Sequence, residues 1–426
     1  MIKLKNLECI IICIFIMIMS LPFLQVQFNI RFMGYNLLNR RLWAYLAIII
    51  IVINDFKILL SPSAIYCYIL LLIFFTMNYL GYYDLQGVYD RRYFVIEYQL
   101  LPLITAILLG EHLLNKEHLW ELRIIIIVGL ISYIIESLLS ISIIQRFPDA
   151  VRGTELQFSR EVMSLYEKRG LGNYSIVSSL PFLIPPLVYY INIKNNVFKR
   201  KQYLWILILF IIIFYSFKAV LFAPFLIGII ALILSFMGRI RVVGNLRFII
   251  IIPILLLFIP RLWIGSIFYS LSDKITNIEY KQKLNDLGLA VIEGIEISSE
   301  GESSTNVIVS RASRIPLTLG AFIKSPLIGH GEVVNSHVYW FNFLGQFGLI
   351  GFIPLFLVLY TYIRRMLFKF HTDAKFFCIL IILSFIILGS IKTLYDFPIF
   401  VLALFFGPAM IYYAFMLVEY NYINKK

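Results

Sequence analysis

The chain has 426 residues, of which 61% are hydrophobic and only 14% are charged, and its formal net charge is +13. Soluble globular domains contain about 25% charged residues, so this composition excludes a soluble enzyme or binding domain. Repeated apolar runs of about 20 residues instead predict helices that cross a membrane. We therefore expect one all-α integral membrane domain over residues 1–426, surrounded by lipid and without a nucleic-acid partner.

In chain order, the apolar runs predict about 12 transmembrane helices. The first follows Lys3 and Lys5, and no small-residue cleavage site comes after it, so we interpret it as a membrane helix and not as a signal peptide. The second is the weakest, because Asp55 and Lys57 lie in its last turn. The predicted spans are 8–27, 42–60, 62–81, 94–114, 124–144, 173–192, 203–217, 219–237, 247–265, 338–362, 376–392 and 397–418.

The short basic loops set the expected orientation. Segments 194–201, 238–247 and 364–375 and the C-terminal lysines are rich in Lys and Arg, and twelve spans put them on the same side as the N-terminus. Short loops with many Lys and Arg residues face the cytoplasm. We therefore expect both termini to be cytoplasmic.

The opposite side is also basic, which goes against the usual bias. It carries Arg40 and Arg41 before the second predicted helix, and Arg152 and Arg160 in the loop 145–172. One interpretation is a site for a polyanion, since arginine binds phosphate oxygens through two parallel hydrogen bonds. The other is that Asp149, Glu155, Glu161 and Glu167 neutralise the longer loop, 145–172, as a solvated helix with i,i+4 ion pairs. The sequence leaves both interpretations open.

A large loop, residues 266–337, precedes the tenth predicted helix on this outer side. Its second half has helical periodicity over 310–325 and predicts an amphipathic helix on the membrane surface. The predicted apolar face is Ala312, Ile315, Leu319, Phe322 and Ile323, and the predicted polar face is Arg311, Arg314, Thr318 and Ser325. A Pro-Leu-Ile-Gly-His-Gly turn follows at 326–331, and His337 then stands before the next apolar run.

Three patches resemble a known family, the O-antigen polymerases and O-antigen ligases. Ser216, Phe217 and Lys218 resemble the family's Ser-Arg pair at the tip of a helical hairpin, with lysine in the arginine's place. Ser310 and Arg311, with Pro326, Gly329 and Gly331, resemble its arginine-led helix and Pro-x-x-Gly-x-Gly turn. His337, with Gly348 and Gly351, resembles its His-Asn element, although Val338 replaces the asparagine.

The resemblance implies transfer of an oligosaccharide from undecaprenyl pyrophosphate to a sugar hydroxyl of a lipid-linked acceptor. The leaving pyrophosphate develops negative charge that fixed cations stabilise, and we expect Arg311, Arg314 and Lys218 to bind it. The attacking hydroxyl needs a base, and His337 is the candidate, since imidazole is largely neutral near neutral pH. Further candidates for glycan or donor binding, or for the base, are Arg152, Arg160, His330 and Glu332.

The same resemblance implies a bacterial inner-membrane enzyme with a periplasmic active site and a chain-length regulator as a candidate partner. No Asp-x-Asp pair is present and the five histidines are scattered in sequence, so we expect no metal and no cofactor. The leading interpretation is a polymerase that joins lipid-linked repeat units of O-antigen or capsule. A ligase that transfers finished chains to lipid A-core shares the motifs. A flippase for lipid-linked sugars is the alternative of another class, with Glu97 and Glu136 as its mid-span carboxylates.

Overall fold

The computed structural model describes residues 2–22, 24, 31–32, 35–85, 95–144, 174–193, 196–219, 222–238, 261–274, 281, 284–285, 288–289, 314–331, 338–394 and 396–423. Within these ranges the chain is helical, apart from a two-residue antiparallel pair of β1 (Arg31–Phe32) and β2 (Tyr35–Asn36). The all-α class expected from the apolar runs is confirmed for this part of the chain.

The described part of the first half consists mainly of helices with short 3-10 and π extensions. They are α1 (Ile2–Ser20), α2 (Arg40–Asn54), a 3-10 turn (Phe56–Leu60), α3 (Pro62–Tyr79), a π turn (Ile96–Leu100), α4 (Leu101–Leu113), a 3-10 turn (Lys116–His118), α5 (Leu119–Ile144), α6 (Tyr174–Ser179), a 3-10 turn (Leu180–Leu183), α7 (Ile184–Asn192) and α8 (Asn196–Lys199).

The second half is built in the same way. It contains α9 (Gln202–Lys218), α10 (Phe222–Gly238), α11 (Arg261–Asp273), α12 (Arg314–Lys324), α13 (Tyr339–Phe368), α14 (Thr372–Ile391), α15 (Phe397–Val401), a π turn (Leu402–Phe406) and α16 (Gly407–Ile423). Each predicted span other than 247–265 overlaps described helical residues, although several spans cover more than one element. Of 247–265, only the last five residues are described, and they begin α11.

Among the described residues, six helical segments are long and apolar enough to cross a membrane. They are Pro62–Tyr79, Lys116–Ser142, Ser175–Asn192, Tyr339–Phe368, Asp373–Ile391 and Phe397–Glu419. Large apolar side chains on their outer surfaces, such as Leu72, Leu138 and Phe356, are at least half exposed. An apolar outer surface is stable in lipid and not in water, so the chain is a polytopic helical membrane protein.

The second predicted span is wrong in its last turn. Helix α2 ends at Asn54, because Asp55 leaves the helical conformation with φ −140°, and a separate 3-10 turn, Phe56–Leu60, follows. Asp55 and Asn54 instead face polar groups of α1 and α4 at this end of the bundle. The end of α2 at Asn54 therefore places the Asn54 amide and the Asp55 carboxylate beside these polar groups.

Among the described residues, one helical segment is far more buried than the peripheral helices. Segment Ser175–Asn192 has 89% of its residues buried, whereas Pro62–Tyr79 has 28%. Rings from different helices meet around the central segment, including the edge-to-face contact between Phe182 and Phe385. The central position of 175–192 and of α15–α16, and the peripheral position of α3, follow from these burial values.

Side-chain contacts sort the helix termini into two ends of the bundle. At one end, which we call the Arg40 end, the start of α2 meets the residue before α15 through Arg40 and Asp396. At the other, the Glu8 end, the start of α1 meets the end of α2 through Glu8 and Asn54. The α13–α14 turn lies at the Glu8 end as well, since Lys369 donates a hydrogen bond to the carbonyl of Leu114.

Candidate functional site at the helix break

Helix α13 is interrupted at Gly348. This residue has φ 58° and ψ −162°, which is not helical, so α13 consists of the segments 339–347 and 349–368. A break in a helix leaves amide and carbonyl groups without their usual partners four residues away. In a membrane protein those groups need other partners, because lipid offers none.

The amides after the break are satisfied by the turn that follows α12. Leu349 N–H donates to the Pro326 carbonyl over 2.9 Å, and Ile350 N–H donates to the Leu327 carbonyl over 3.0 Å. The proline-led turn therefore takes the place of the missing helical turn on the C-terminal side of the break.

The carbonyls before the break are satisfied by the same turn. His330 N–H donates to the Gly345 carbonyl and Gly331 N–H donates to the Gln346 carbonyl, each over 2.9 Å. Together with the amides of Leu349 and Ile350, these contacts make four backbone hydrogen bonds between 326–331 and 345–350. We call these two segments the turn–break junction.

A third segment, just after α3, completes the turn–break junction. The Tyr83 hydroxyl donates to the Phe347 carbonyl over 2.7 Å, and Asp84 N–H donates to the Gly331 carbonyl over 2.9 Å. Burial raises the pKa of the Tyr83 phenol well above its usual value, so the group remains a hydrogen-bond donor. Its ring also packs against Phe347 and Phe74.

The glycines of the two sequence motifs are required by this close approach. Gly329, Gly331 and Gly348 all have positive φ, which side chains other than glycine rarely adopt. A Cβ atom on Gly348 would stand 2.5 Å from both Gly329 N and the Leu327 carbonyl oxygen. The Pro-x-x-Gly-x-Gly turn and the Gly348 element are thus two halves of one packed unit.

Helix α12 packs on the first segment of α13, but not by the face that the sequence predicts. Thr318, assigned to the polar face, is fully buried, whereas Ile323, assigned to the apolar face, is 74% exposed. The Thr318 backbone passes so close to Gly345 that a Cβ there would lie 2.8 Å from the Thr318 carbonyl oxygen. The prediction is therefore wrong at these two positions, one from each face, and the burial of Thr318 fits the small residues that form helix contacts in membranes.

Arg40 and Asp396 form a buried ion pair at the Arg40 end. Asp396 Oδ2 accepts hydrogen bonds from Arg40 Nη1 and, over 3.2 Å, from Ser175 Oγ. Its other oxygen accepts from Phe397 N–H over 2.9 Å and so caps α15, while Asp396 N–H donates to the Tyr98 carbonyl. One carboxylate therefore ties together the starts of α2, α6 and α15.

Asp396 adopts a backbone conformation that is costly for any residue but glycine. Its φ of 74° and ψ of 157° lie in a region that costs roughly 1–3 kcal/mol. The Arg40 guanidinium beside it is buried, and among the described residues its Nε has no hydrogen-bond partner. Strain and an unsatisfied donor coincide at this pair.

Arg41, the neighbour of Arg40, is also neutralised. Its guanidinium pairs with Glu97 and lies over the Tyr98 ring, 4.3 Å from the centroid. Arg40 and Arg41 are thus both paired with carboxylates outside the loop 145–172, and that loop lies outside the described residues. The pairing with Arg41 also accounts for Glu97, which is no isolated mid-span carboxylate.

Two predicted site residues have described side chains. Lys218 is the last residue of α9, and its ammonium group folds back over the Phe214 ring, 5.5 Å from the centroid. His330 lies in the turn–break junction with an exposed side chain. Arg314 is the first residue of α12, described by its backbone only. Arg152, Arg160, Arg311, Glu332 and His337 lie outside the described residues.

A third polar cluster, at the Glu8 end, was missed by the sequence reasoning. Glu8, His112 and His118 are buried, and each offers a ligand atom within 4.8 Å of the others. Two of the histidines that look scattered in sequence are therefore neighbours in space. The available signal was a carboxylate in the first apolar run together with two histidines six residues apart. This trio is the one group of described residues that could hold a metal ion.

Neither the scan against known protein families nor the search of curated proteins finds a match to this chain.

Proposed function

We propose that this protein is a membrane glycosyltransferase that polymerises lipid-linked oligosaccharide repeat units, as its resemblance to O-antigen polymerases implies. The observation that supports this proposal is the turn–break junction. Two motifs noted for the resemblance, Pro326-x-x-Gly329-x-Gly331 and the Gly348 element, are bound to each other by four backbone hydrogen bonds. The resemblance treats these motifs as separate patches of sequence, whereas in the structure they pack together as one unit.

The junction supports the proposed roles of the residues that flank it. Arg314 begins the helix that leads into the turn, and His337 directly precedes Val338 and α13, the helix that contains the break. Arg314 and His337 are thus close in sequence to the two helices, α12 and α13, that the turn–break junction binds together. In the proposal, Arg311, Arg314 and Lys218 stabilise the leaving pyrophosphate and His337 takes the proton of the attacking hydroxyl.

Two outer arginines, Arg40 and Arg41, are weaker candidates for binding the pyrophosphate than the cations of the motifs. Arg40 and Arg41 both have carboxylate partners, so a diphosphate gains less from them than from cations without such partners. In the proposal the charge of the leaving group is met by side chains of the motifs, and transfer needs no added metal. Arg152, Arg160, His330 and Glu332 remain candidates for contacts with the glycan.

In this proposal the chain has twelve spans and both termini in the cytoplasm of a bacterium. The loop 266–337 and the Arg40 end face the periplasm, where the lipid-linked donor and acceptor meet. The basic residues of the Glu8 end support this orientation, because Arg365 and Lys369 contact residues at the end of α4. A chain-length regulator is the partner expected for such a polymerase.

The test is reconstitution of the full chain with lipid-linked repeat units and no nucleotide or added metal. We expect a ladder of longer lipid-linked products. We expect Arg311→Ala and His337→Ala to remove the ladder while the protein remains in the membrane, and Arg41→Ala to retain it, since Arg41 is neutralised by Glu97. A normal ladder from both site variants would refute the assignment. Product that appears only when lipid A-core is supplied would indicate the ligase.

A second candidate function, movement of lipid-linked sugars across the membrane, is favoured by the break itself. Discontinuous helices form the substrate sites of many transporters. In addition, Glu136 is buried in α5 with one oxygen that lacks a hydrogen-bond partner within the described ranges. The same vesicles distinguish the two: movement of the lipid-linked unit between leaflets without any longer product would indicate transport.

A further inference from the structure

Glu8, His112 and His118 come from three separate elements that meet at the Glu8 end. Glu8 lies in the second turn of α1, His112 in the last turn of α4, and His118 in the 3-10 turn before α5. Their exposed fractions are 2%, 5% and 7%. Three strong ligands are therefore collected in a protein interior where lone ionisable groups are costly.

The set of donors is that of a transition-metal site. Two imidazoles and one carboxylate bind zinc in enzymes of several folds, with a fourth position left for water. The same set also binds other divalent first-row metals. Magnesium and calcium prefer sites made of oxygen atoms, so this cluster favours zinc over them.

Carboxylates behind the two imidazoles complete the pattern. Asp55 Oδ2 lies 3.5 Å from His112 Nδ1, and Glu121 Oε1 lies 3.7 Å from His118 Nδ1. Both Nδ1 atoms are buried, and among described residues neither has a hydrogen-bond partner. Histidines that bind metals through one nitrogen usually donate the other N–H to a carboxylate. Small movements toward Asp55 and Glu121 would satisfy both atoms.

Glu8 is oriented by neighbours that leave it available as a ligand. Asn54 Nδ2 donates to Oε2 of Glu8, and His112 Nε2 lies 2.7 Å from Oε1, within hydrogen-bond distance. A bound cation would take the place of this contact between the carboxylate and the imidazole. The rings of His112 and His118 are 4.5 Å apart between centroids, which suits a common ion.

We propose that Glu8, His112 and His118 form a zinc site, oriented by Asp55, Glu121 and Asn54, that joins α1 to the α4–α5 hairpin. The site lies at the opposite end of the bundle from the Arg40 end. Glu8 is more than 100 residues away in sequence from His112 and His118, so the ion would close a long loop and stabilise the fold. This role is independent of the reaction proposed above.

The first test is metal content. The full chain, purified in detergent with a tag other than polyhistidine, is loaded with zinc, desalted and analysed by mass spectrometry. We expect about one zinc per chain for the natural sequence, and at least a tenfold weaker affinity for His112→Gln and His118→Gln. His371→Gln, at an exposed histidine outside the cluster, is the matched control and should retain the ion. Substoichiometric zinc in the natural chain, or equal zinc in all four proteins, would overturn the proposal.

The second test remains decisive if the cluster variants fail to fold. Cobalt(II) is added to the chelator-treated natural protein, and its visible absorption is recorded. Bands that saturate at one equivalent and disappear on addition of zinc are expected, together with a melting temperature that rises with zinc concentration. An absorption spectrum like that of hydrated cobalt, or a melting temperature that zinc leaves unchanged, would rule out the site.

Discussion

At the scale of single residues, Asp396 is the most constrained position that the structure describes. It combines an unfavourable φ of 74° with a buried partner, Arg40, and a capping hydrogen bond to α15. A residue is held in such a conformation only when its surroundings compensate the strain. Here the compensation is electrostatic, because the carboxylate satisfies a guanidinium that lipid and apolar side chains cannot.

We therefore predict that Asp396→Ala destabilises the protein strongly. Removal of one member of a buried ion pair leaves the other uncompensated, at a cost of about 3–5 kcal/mol. The matched control is Glu97→Ala, which breaks the more exposed pair with Arg41 and should cost about 0–1 kcal/mol. Thermal unfolding of the purified variants in one detergent compares the two.

Asp396→Ala removes both the ion pair with Arg40 and the cap of α15, and a double variant distinguishes these two causes of instability. If the cost arises from the unpaired guanidinium, Arg40→Met in the Asp396→Ala background should restore part of the lost melting temperature. An Asp396→Ala variant no less stable than Glu97→Ala would contradict the interpretation, as would a double variant that melts below both single variants.

At the scale of elements, the turn–break junction makes a prediction about glycine. Gly348→Ala forces a positive φ on alanine, which alone costs about 1–2 kcal/mol, and moves a methyl group to within 2.5 Å of two backbone atoms. Gly320→Ala is the control, since that glycine lies in α12 with no atom near its missing Cβ, and alanine there should add about 0.5–1 kcal/mol.

Melting temperatures and product ladders measured on both glycine variants test this prediction. Gly348→Ala should lower the melting temperature and shorten the ladder, and Gly320→Ala should not. If Gly348→Ala were as stable as Gly320→Ala, the break would have to tolerate a side chain, and the packing described for Gly329 and Gly348 would be wrong.

The helices themselves were predictable because long apolar runs have few alternatives in lipid. The break in α13 was not, since residues 338–362 read as one continuous apolar run and glycine is common in membrane helices. The amides and carbonyls freed by the break bind segment 326–331, which lies more than a dozen residues earlier in the chain. Thr318 and Ile323 in α12 were assigned wrongly for a similar reason, since periodicity indicates a polar face but not whether lipid or protein covers it.

At the scale of the whole molecule, the two ends predict a labelling pattern. Lys116 is exposed at the Glu8 end, and Tyr82 is exposed after α3 at the opposite end. If the Glu8 end faces the cytoplasm, as its basic residues indicate, Tyr82→Cys should react with an impermeant maleimide in intact spheroplasts. Lys116→Cys should react only after lysis. The reverse pattern would invert the proposed orientation.

The clusters of polar residues that are distant in sequence could not be predicted, and the reason is physical. Glu8 and His112 are brought together by the packing of α1, α2 and α4, and no local pattern encodes which helices become neighbours. The same holds for Arg40 and Asp396, which are 356 positions apart. Composition and periodicity predict how many helices form and where they begin, whereas the partners of their polar side chains depend on the arrangement of the complete bundle.

The turn–break junction predicts that the protein stays assembled when its chain is cut between Gly331 and Val338. Because four backbone hydrogen bonds and the docking of α12 on α13 hold the two segments together, the peptide bonds between Gly331 and Val338 are not what keeps them side by side. A protease that cut there would leave two fragments that migrate separately in denaturing gels yet purify as one particle. The protein could then be produced as two co-expressed halves, each able to carry its own label.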